Sequence, residues 1–433
     1  MDYQSVNLKN YDLHMVKTNR FKQIKLLVDL RIKDEKENSK YLKILQNILL
    51  KTSPNYQTIK EINTACASIY DPCYYISYIE SGKEGVFTLD ISFINEKYTE
   101  KGMNKKSIDF VLDFLFNPKI INNGFDKEIF ELEKKSFISS LKSVKDNPQR
   151  YAKIRLDEEM DTKDYKEYKI EELIEDVQKT NEKELYNFYQ KLMQNSKLDI
   201  FVIGDIEFNE IEKIISEKIN FNGKHQGKIN HLIKQTNIRQ NPRIIIEKVN
   251  NTQSILNIGC KIESLTDIER KYVFPLYSWI LGGCMNSLLN QTVREKNSLC
   301  YYIYTSRQNL LETMSIHAGI DGENFEKTIN LIDEEMQNME KGNFEEELLE
   351  SVRNIYLNSL KSIEDSIGTV IGNFECQTFK TADSINQRKE EIMKVTKEDI
   401  TKFSKKVHID TIFLLKGENN GKKWSKKFKY WYI

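Results

Sequence analysis

The strongest constraint on this chain is an order of segments that occurs twice. Leu198–Gly204 (LDIFVIG) is a mainly apolar run of strand length, and Ile409–Gly417 (IDTIFLLKG) closes the second half in the same way. Runs of this kind read as buried strands. Before each lies a long amphipathic helix with a matching signature, ISSLKS at Ile138–Ser143 and LNSLKS at Leu357–Ser362. Earlier still come alternating segments that read as strands: Phe21–Ile32, Tyr74–Ile79 and Val86–Phe93 in one half, Arg243–Ile246, Ser254–Ile262, Leu299–Tyr304 and Met314–Ile320 in the other. The matched order predicts an internal duplication of two α+β domains of roughly 200 residues each. The boundaries fall at 1–221 and 243–433. Asn222–Pro242, polar and poor in apolar residues, is the linker between them. Two unrelated α+β domains are the alternative reading of the order alone.

Further helices are expected at Lys40–Leu50, Thr58–Ile69, Ile108–Leu115, Asp126–Val144, Asn181–Gln194, Phe325–Glu340 and Phe344–Ser362. Asn181 with Glu184, and Thr396 with Asp399, have the spacing of a capping box at a helix start.

A chain of 433 residues exceeds a single ordinary core. Its 65 basic and 65 acidic residues balance, which argues against bulk nucleic-acid binding. The first residues, MDYQSVNLKNYDLHMV, have no apolar core of a signal peptide, and no apolar run is long enough to span a membrane. A cytoplasmic protein with reduced cysteines is therefore expected. Cys66, Cys73, Cys260, Cys284, Cys300 and Cys376 form no C-x-x-C pair, and the five histidines never pair at i, i+4. That pattern predicts no His- or Cys-based metal site within the chain.

The stretch Leu281–Arg307 (LGGCMNSLLNQTVREKNSLCYYIYTSR) carries the most specific information. Leu281-Gly282-Gly283 reads as a permissive turn. Met285, Leu288, Leu289 and Val293 recur at helical spacing, so a helix is expected to run to about Lys296. Asn297-Ser298 stops it, and Leu299–Tyr304 reads as a strand. Arg294 then lies in the last helical turn and Tyr301 just inside the strand. On the residues alone this is a helix–strand corner whose Arg and Tyr serve packing.

The same pattern, LGG, then S-x-L, then R-E-K-x-S-L-x-Y, resembles the C-terminal half of the pitrilysin/insulinase family of zinc metallopeptidases. The resemblance extends over nearly the whole chain and includes DNPQRYA after the long helix. It implies an α+β fold of two homologous insulinase-like domains. Each would be a mostly antiparallel sheet packed with helices, and the pair would form a half-clamshell. It also implies that Arg294 and Tyr301 contact bound peptide beside the metal.

The family's zinc motif, H-x-x-E-H on a helix, falls by this resemblance on Lys40–Leu50 (KYLKILQNILL). Its functional positions become Lys43, Gln46 and Asn47. The further Glu ligand falls at Ser140, with Glu133 one register earlier. A lysine brings a cation to the place of zinc, and neither amide is a good zinc ligand or a base. The positions therefore read as a degenerate metal site with no cofactor in this chain; a Lys of lowered pKa in a new catalytic role is the alternative. The resemblance is to the non-metal-binding YmfF-like subgroup, associated with elongation factor P modification and paired with a metal-bearing sister.

The last residues, Lys422–Ile433 (KKWSKKFKYWYI), interleave lysines with aromatics. Membrane-surface or nucleic-acid contact is open to such a tail. The commoner arrangement packs the aromatics on the domain or a partner and leaves the lysines solvated.

Taken together, the residues and the resemblance lead to a metal-free subunit of a heterodimeric insulinase-like zinc peptidase. A homologous H-x-x-E-H-bearing partner would supply zinc and the water-activating Glu. Arg294 and Tyr301 would hold the peptide and stabilise the oxyanion. A non-enzymatic peptide-binding or scaffold protein is the alternative.

Overall fold

In the computed structural model of the protein, the described residues are 1–33, 38–160, 169–223, 232–235, 237–250, 253–379 and 382–417. Two mixed sheets organise them. The first has six strands in the order β1-β2-β6-β3-β5-β4 and the second five in the order β7-β11-β8-β10-β9. The strands are β1 (Asp2–Leu8), β2 (Tyr11–Lys17), β3 (Gln23–Lys33), β4 (Cys73–Ser81), β5 (Glu84–Ile94), β6 (Lys197–Gly204), β7 (Arg243–Val249), β8 (Ser254–Ile262), β9 (Cys300–Gln308), β10 (Thr313–Ile320) and β11 (Val407–Gly417). Each sheet is antiparallel except for one pair, β2 with β6 and β7 with β11. With β1 set aside the two orders are identical, so the duplicated α+β architecture expected from the sequence is present.

The sequence patterns explain the elements. β6 and β8 are mainly apolar and buried from end to end or nearly so, because each is a central strand covered on both faces. Helix Glu182–Asn195 starts at the expected capping box. Asn181 accepts from the amides of Lys183 and Glu184, and Glu184 accepts in return from the amide of Asn181. Thr396 and Asp399 do the same for Lys397–Ser404. Each box satisfies donors that a helix start leaves open.

The chain forms two compact units that interleave along the sequence. One comprises Met1–Ser143, Asp164–Ile233 and Ile355–Glu390; the other comprises Val144–Lys163, Lys234–Asn354 and Glu391–Ile433. Helix Ile367–Phe379 packs Val370, Ile371 and Phe379 on Val16, Leu27, Val86 and Phe201 of the first sheet. Helix Pro148–Glu159 packs Ala152 and Leu156 on Ile255, Phe413 and Leu415 of the second. Burying one such apolar side chain is worth roughly 1.5–3 kcal/mol. The division 1–221, 222–242 and 243–433 is thus a division of chain order, and the compact units are composed differently. Within 222–242, residues 224–231 and 236 lie outside the described residues. Ile233 and Gln235 are buried, and the Gln235 amide donates to the Leu311 carbonyl at 2.7 Å.

Two local expectations need correction. Leu281-Gly282-Gly283 is not a turn but the wide-wound (π) end of a helical segment, Trp279–Gly283. Gly282 is required by close packing, since a Cβ there would lie 2.7 Å from Thr305 Cγ2. Met285 belongs to the turn after it and is 75% exposed. The helix itself begins at Leu288.

Candidate functional site

Helix Ser39–Ile48 buries Leu42, Ile44, Leu45 and Ile48. That leaves Lys43, Gln46 and Asn47 half-buried, at the i, i+3 and i+4 spacing that puts them along one face. Lys43 Nζ lies 5.6 Å from the centre of the Tyr78 ring of β4. A cation over an aromatic face is a favourable contact worth about 0.5–1 kcal/mol when partly exposed.

The neighbouring helix, Lys127–Lys142, packs against Ser39–Ile48. Ser140 on it is exposed, and its hydroxyl donates back to the Phe137 carbonyl of its own helix at 2.8 Å. The buried acid of this helix is Glu133, 7% exposed, with an oxygen 3.4 Å from Lys51 Nζ. The glutamate that sequence reasoning set beside Ser140 is therefore the one turned inward. Its burial shows as the apolar period of Phe130, Glu133 and Phe137 on one helical face.

These side chains do not suit zinc. The position that would supply the first imidazole carries a lysine, the next two carry amides, and Ser140 offers a hydroxyl already turned to its own backbone. No group of three or more His, Cys, Asp or Glu able to hold a metal ion occurs among the described residues.

The second set of residues lies in the other compact unit. The segment Asn290–Lys296 is wound as a π-helix and ends at Asn297, whose side chain donates to the Thr292 carbonyl at 2.9 Å. Ser298 adopts the left-handed conformation, φ 53°, and reverses the chain into β9. The amides of Ser298 and Leu299 close this corner on the carbonyls of Arg294 and Val293, both at 3.0 Å. Val293 is fully buried and Leu299 nearly so, which fixes the corner to the core.

Arg294 and Tyr301 flank this corner. The Arg294 side chain is 40% accessible, and its Nε lies 3.7 Å from a Glu295 oxygen. Tyr301 is 64% exposed on the edge strand β9. Burial pushes the Cys300 thiol up to about 11, and the Arg294 guanidinium, close enough to act on it, pulls the other way. Both side chains thus present donors to solvent from a rigid corner. A guanidinium and a phenol can donate together to one carbonyl oxygen.

Sequence reasoning did not single out the neighbours of this pair on β9. Tyr304 stacks on His317 of β10 with ring centres 4.9 Å apart. His317 bridges Ser306, at 3.0 Å, and Asn257, at 2.9 Å. Burial lowers His317 to about 4, so the imidazole is neutral near pH 7. A lone histidine in a strand gives no sequence signal of this role.

Three comparisons relate the chain to known proteins. A match to the family described as Peptidase M16 inactive domain spans residues 179–356. The chain is 26% identical over 408 residues to the "Probable inactive metalloprotease YmfF" of Bacillus subtilis (strain 168), covering 93% of this chain and 95% of that protein. The crystal structure of a conserved protein from Enterococcus faecalis V583 superposes with a TM-score of 0.88 at 24% identity, over 98% of this chain and all of that one. Pitrilysin itself superposes with a TM-score of 0.70 at 11% identity, over 98% of this chain and 45% of pitrilysin. At these identities the solved structures establish the fold.

Proposed function

We propose, from the premise that this chain is an inactive M16-like protein of the pitrilysin/insulinase kind, that it is the metal-free subunit of a heterodimeric zinc peptidase. The partner would be a homologous chain bearing H-x-x-E-H, which brings zinc and the glutamate that activates water. This chain contributes Arg294 and Tyr301, which bind the peptide and donate to the oxygen that gains charge during hydrolysis. The setting we assign is the cytoplasm, and the substrate class is a peptide.

The observation that carries this reading is the accessibility of both donors, 40% for the Arg294 side chain and 64% for Tyr301, on a corner otherwise anchored in the core. A packing role would bury them. Lys43, Gln46, Asn47 and Ser140 support the division of labour, because they offer no donor set for zinc in this chain.

The test is co-expression with an H-x-x-E-H-bearing homologue, followed by purification and a peptide-cleavage assay. The expected result is a stable complex that cleaves, with zinc retained by the partner, while this chain alone holds no stoichiometric zinc and cleaves nothing. A complex that binds peptide without accelerating its cleavage would assign the chain to the alternative, a non-enzymatic scaffold or peptide-binding protein. Activity of the isolated chain would contradict both.

A further inference from the structure

Asn257, His317 and Ser306 lie on three neighbouring strands of the second sheet, β8, β10 and β9. His317 stands directly opposite Asn257 of β8 and Tyr304 of β9, and Ser306 follows Tyr304 by two, so the three side chains share one face. Asn257 Oδ1 is 2.9 Å from His317 Nδ1, and Ser306 Oγ is 3.0 Å from His317 Nε2. An amide oxygen can only accept, so Nδ1 carries the imidazole hydrogen. Burial keeps the ring neutral near pH 7, which leaves Nε2 to accept from the Ser306 hydroxyl. Nucleophile, base and orienting group then stand in the order that acyl transfer uses.

The surroundings treat the three differently. Asn257 and His317 are buried, and the Tyr304 ring stacks on the imidazole. Ser306 is only partly buried and sits on the edge strand. The base is thus shielded from water while Oγ remains open to an incoming carbonyl. Helix Pro148–Glu159, packed on the same sheet, brings the Gln149 amide to the Tyr302 hydroxyl at 3.5 Å. One turn on, Lys153 is close enough for its charge to act on His317. That ammonium opposes an imidazolium and favours the oxyanion that forms with it.

We propose that Ser306, His317 and Asn257 form a hydrolytic centre for small acyl esters or thioesters, with Ser306 as nucleophile, His317 as base and Asn257 as positioning residue. Ser306 Oγ bonds to the acyl carbon as its proton passes to His317 Nε2. The bond from that carbon to the leaving oxygen or sulfur then breaks, and the imidazolium returns the proton to the leaving group. Water repeats the sequence on the acyl-serine, releases the acid and restores the hydroxyl. Burial, with Lys153, lowers the base to about 4, and an amide rather than a carboxylate orients it. So weak a base suits esters and thioesters, whose leaving groups need little help, and not peptide amides. The centre uses neither zinc nor a partner subunit, so it stands or falls apart from the peptidase reading.

The test treats the full chain, alone, with para-nitrophenyl acetate. Release of nitrophenolate gives the rate, and mass spectrometry locates the acetyl group. The expected result is acetyl on Ser306, with turnover that Ser306→Ala and His317→Gln each lower by about 10²-fold or more. Glutamine keeps an amide between Ser306 and Asn257 and so preserves the packing while removing the base. Asn257→Asp should raise the rate about tenfold or more, because a carboxylate supports the imidazolium. A purely structural hydrogen bond would give no such gain. Acetylation that spares Ser306, or an unchanged rate in Ser306→Ala or His317→Gln, overturns the proposal. So does a folded Asn257→Asp variant that gains nothing.

Discussion

In the first sheet Arg31 lies among carboxylates; near the matching place in the second, Asp410 lies between cations. Arg31 Nε and Nη1 bond Glu84 at 2.9 Å and Asp199 at 3.0 Å, and its guanidinium sits 4.1 Å from the centre of the Phe379 ring. Asp29 is wholly buried nearby, and burial and then the Glu375 carboxylate raise its pKa well above the usual range. Asp410 lies at a register shift of the closing strand, next to Thr411, which takes the place of Asp199. The Asp410 carboxylate lies 3.0 Å from the fully buried Lys261 Nζ and accepts from Arg239. One strand order therefore holds two opposite solutions to burying charge. Burial among carboxylates pushes Asp29 toward its neutral form, whereas the buried Asp410 is met by Lys261 and Arg239.

The largest effect should come from Asp410→Asn. It removes the acid from beside a buried ammonium and should cost about 3–5 kcal/mol in denaturant unfolding of the second unit. A cost below about 1 kcal/mol would show that the two sheets do not differ as described.

A smaller effect follows from pH. Burial pushes Glu84 up to about 6, against the lowering pull of Arg31. Its folded pKa exceeds its unfolded one, so the folded state holds the proton more tightly. The stability this confers is complete below the unfolded pKa and is lost as pH rises through about 6. Between pH 7 and pH 4.5 the first unit should gain up to about 2 kcal/mol from this group. Exchange at the β3 and β6 amides, corrected for intrinsic rates, measures it. Glu84→Gln should flatten the profile, and an unchanged slope would assign the pH dependence elsewhere.

The smallest effect should be that of Asp29→Asn. Burial shifts Asp29 toward its neutral form, and the Thr88 hydroxyl donates to it at 2.6 Å. Asn preserves that acceptor, so the change near neutral pH should stay within about 1 kcal/mol. A loss as large as that of Asp410→Asn would show that Asp29 is ionised.

Much of this was legible in the sequence, for stated reasons. Leu198–Gly204 and Ser254–Ile262 are mainly apolar segments of strand length, and they became central strands. The helix–strand corner at Asn297-Ser298 was readable because stop signals sit between two opposite periodicities. The N-terminal hairpin of β1 and β2 was missed. DYQSVNL is polar, with only Val6 and Leu8 packing on the core, and its role is to cover β2 rather than to form the core. The exchange of covering segments between halves was illegible as well. Ala152 and Leu156 announce an apolar face on Pro148–Glu159, but nothing in a periodicity says which sheet that face meets. At the candidate site, local geometry was readable while orientation was not. Ser140 and Glu133 lie seven residues apart, two turns on one helix, and only packing decided that Glu133 turns inward. The tail Lys422–Ile433 lies outside the described residues.

The central claim is that Arg294 and Tyr301 work on a peptide bound in company with a metal-bearing partner. The direct measurement is turnover by the complex carrying Arg294→Ala or Tyr301→Phe, alongside its assembly and thermal stability. Loss of one donor to a developing oxyanion typically costs about 10²–10³ in rate. The account predicts a loss of that order in kcat, with assembly and melting temperature unchanged, since both side chains stand clear of the core. Variants that assemble normally and cleave at the unsubstituted rate would contradict it.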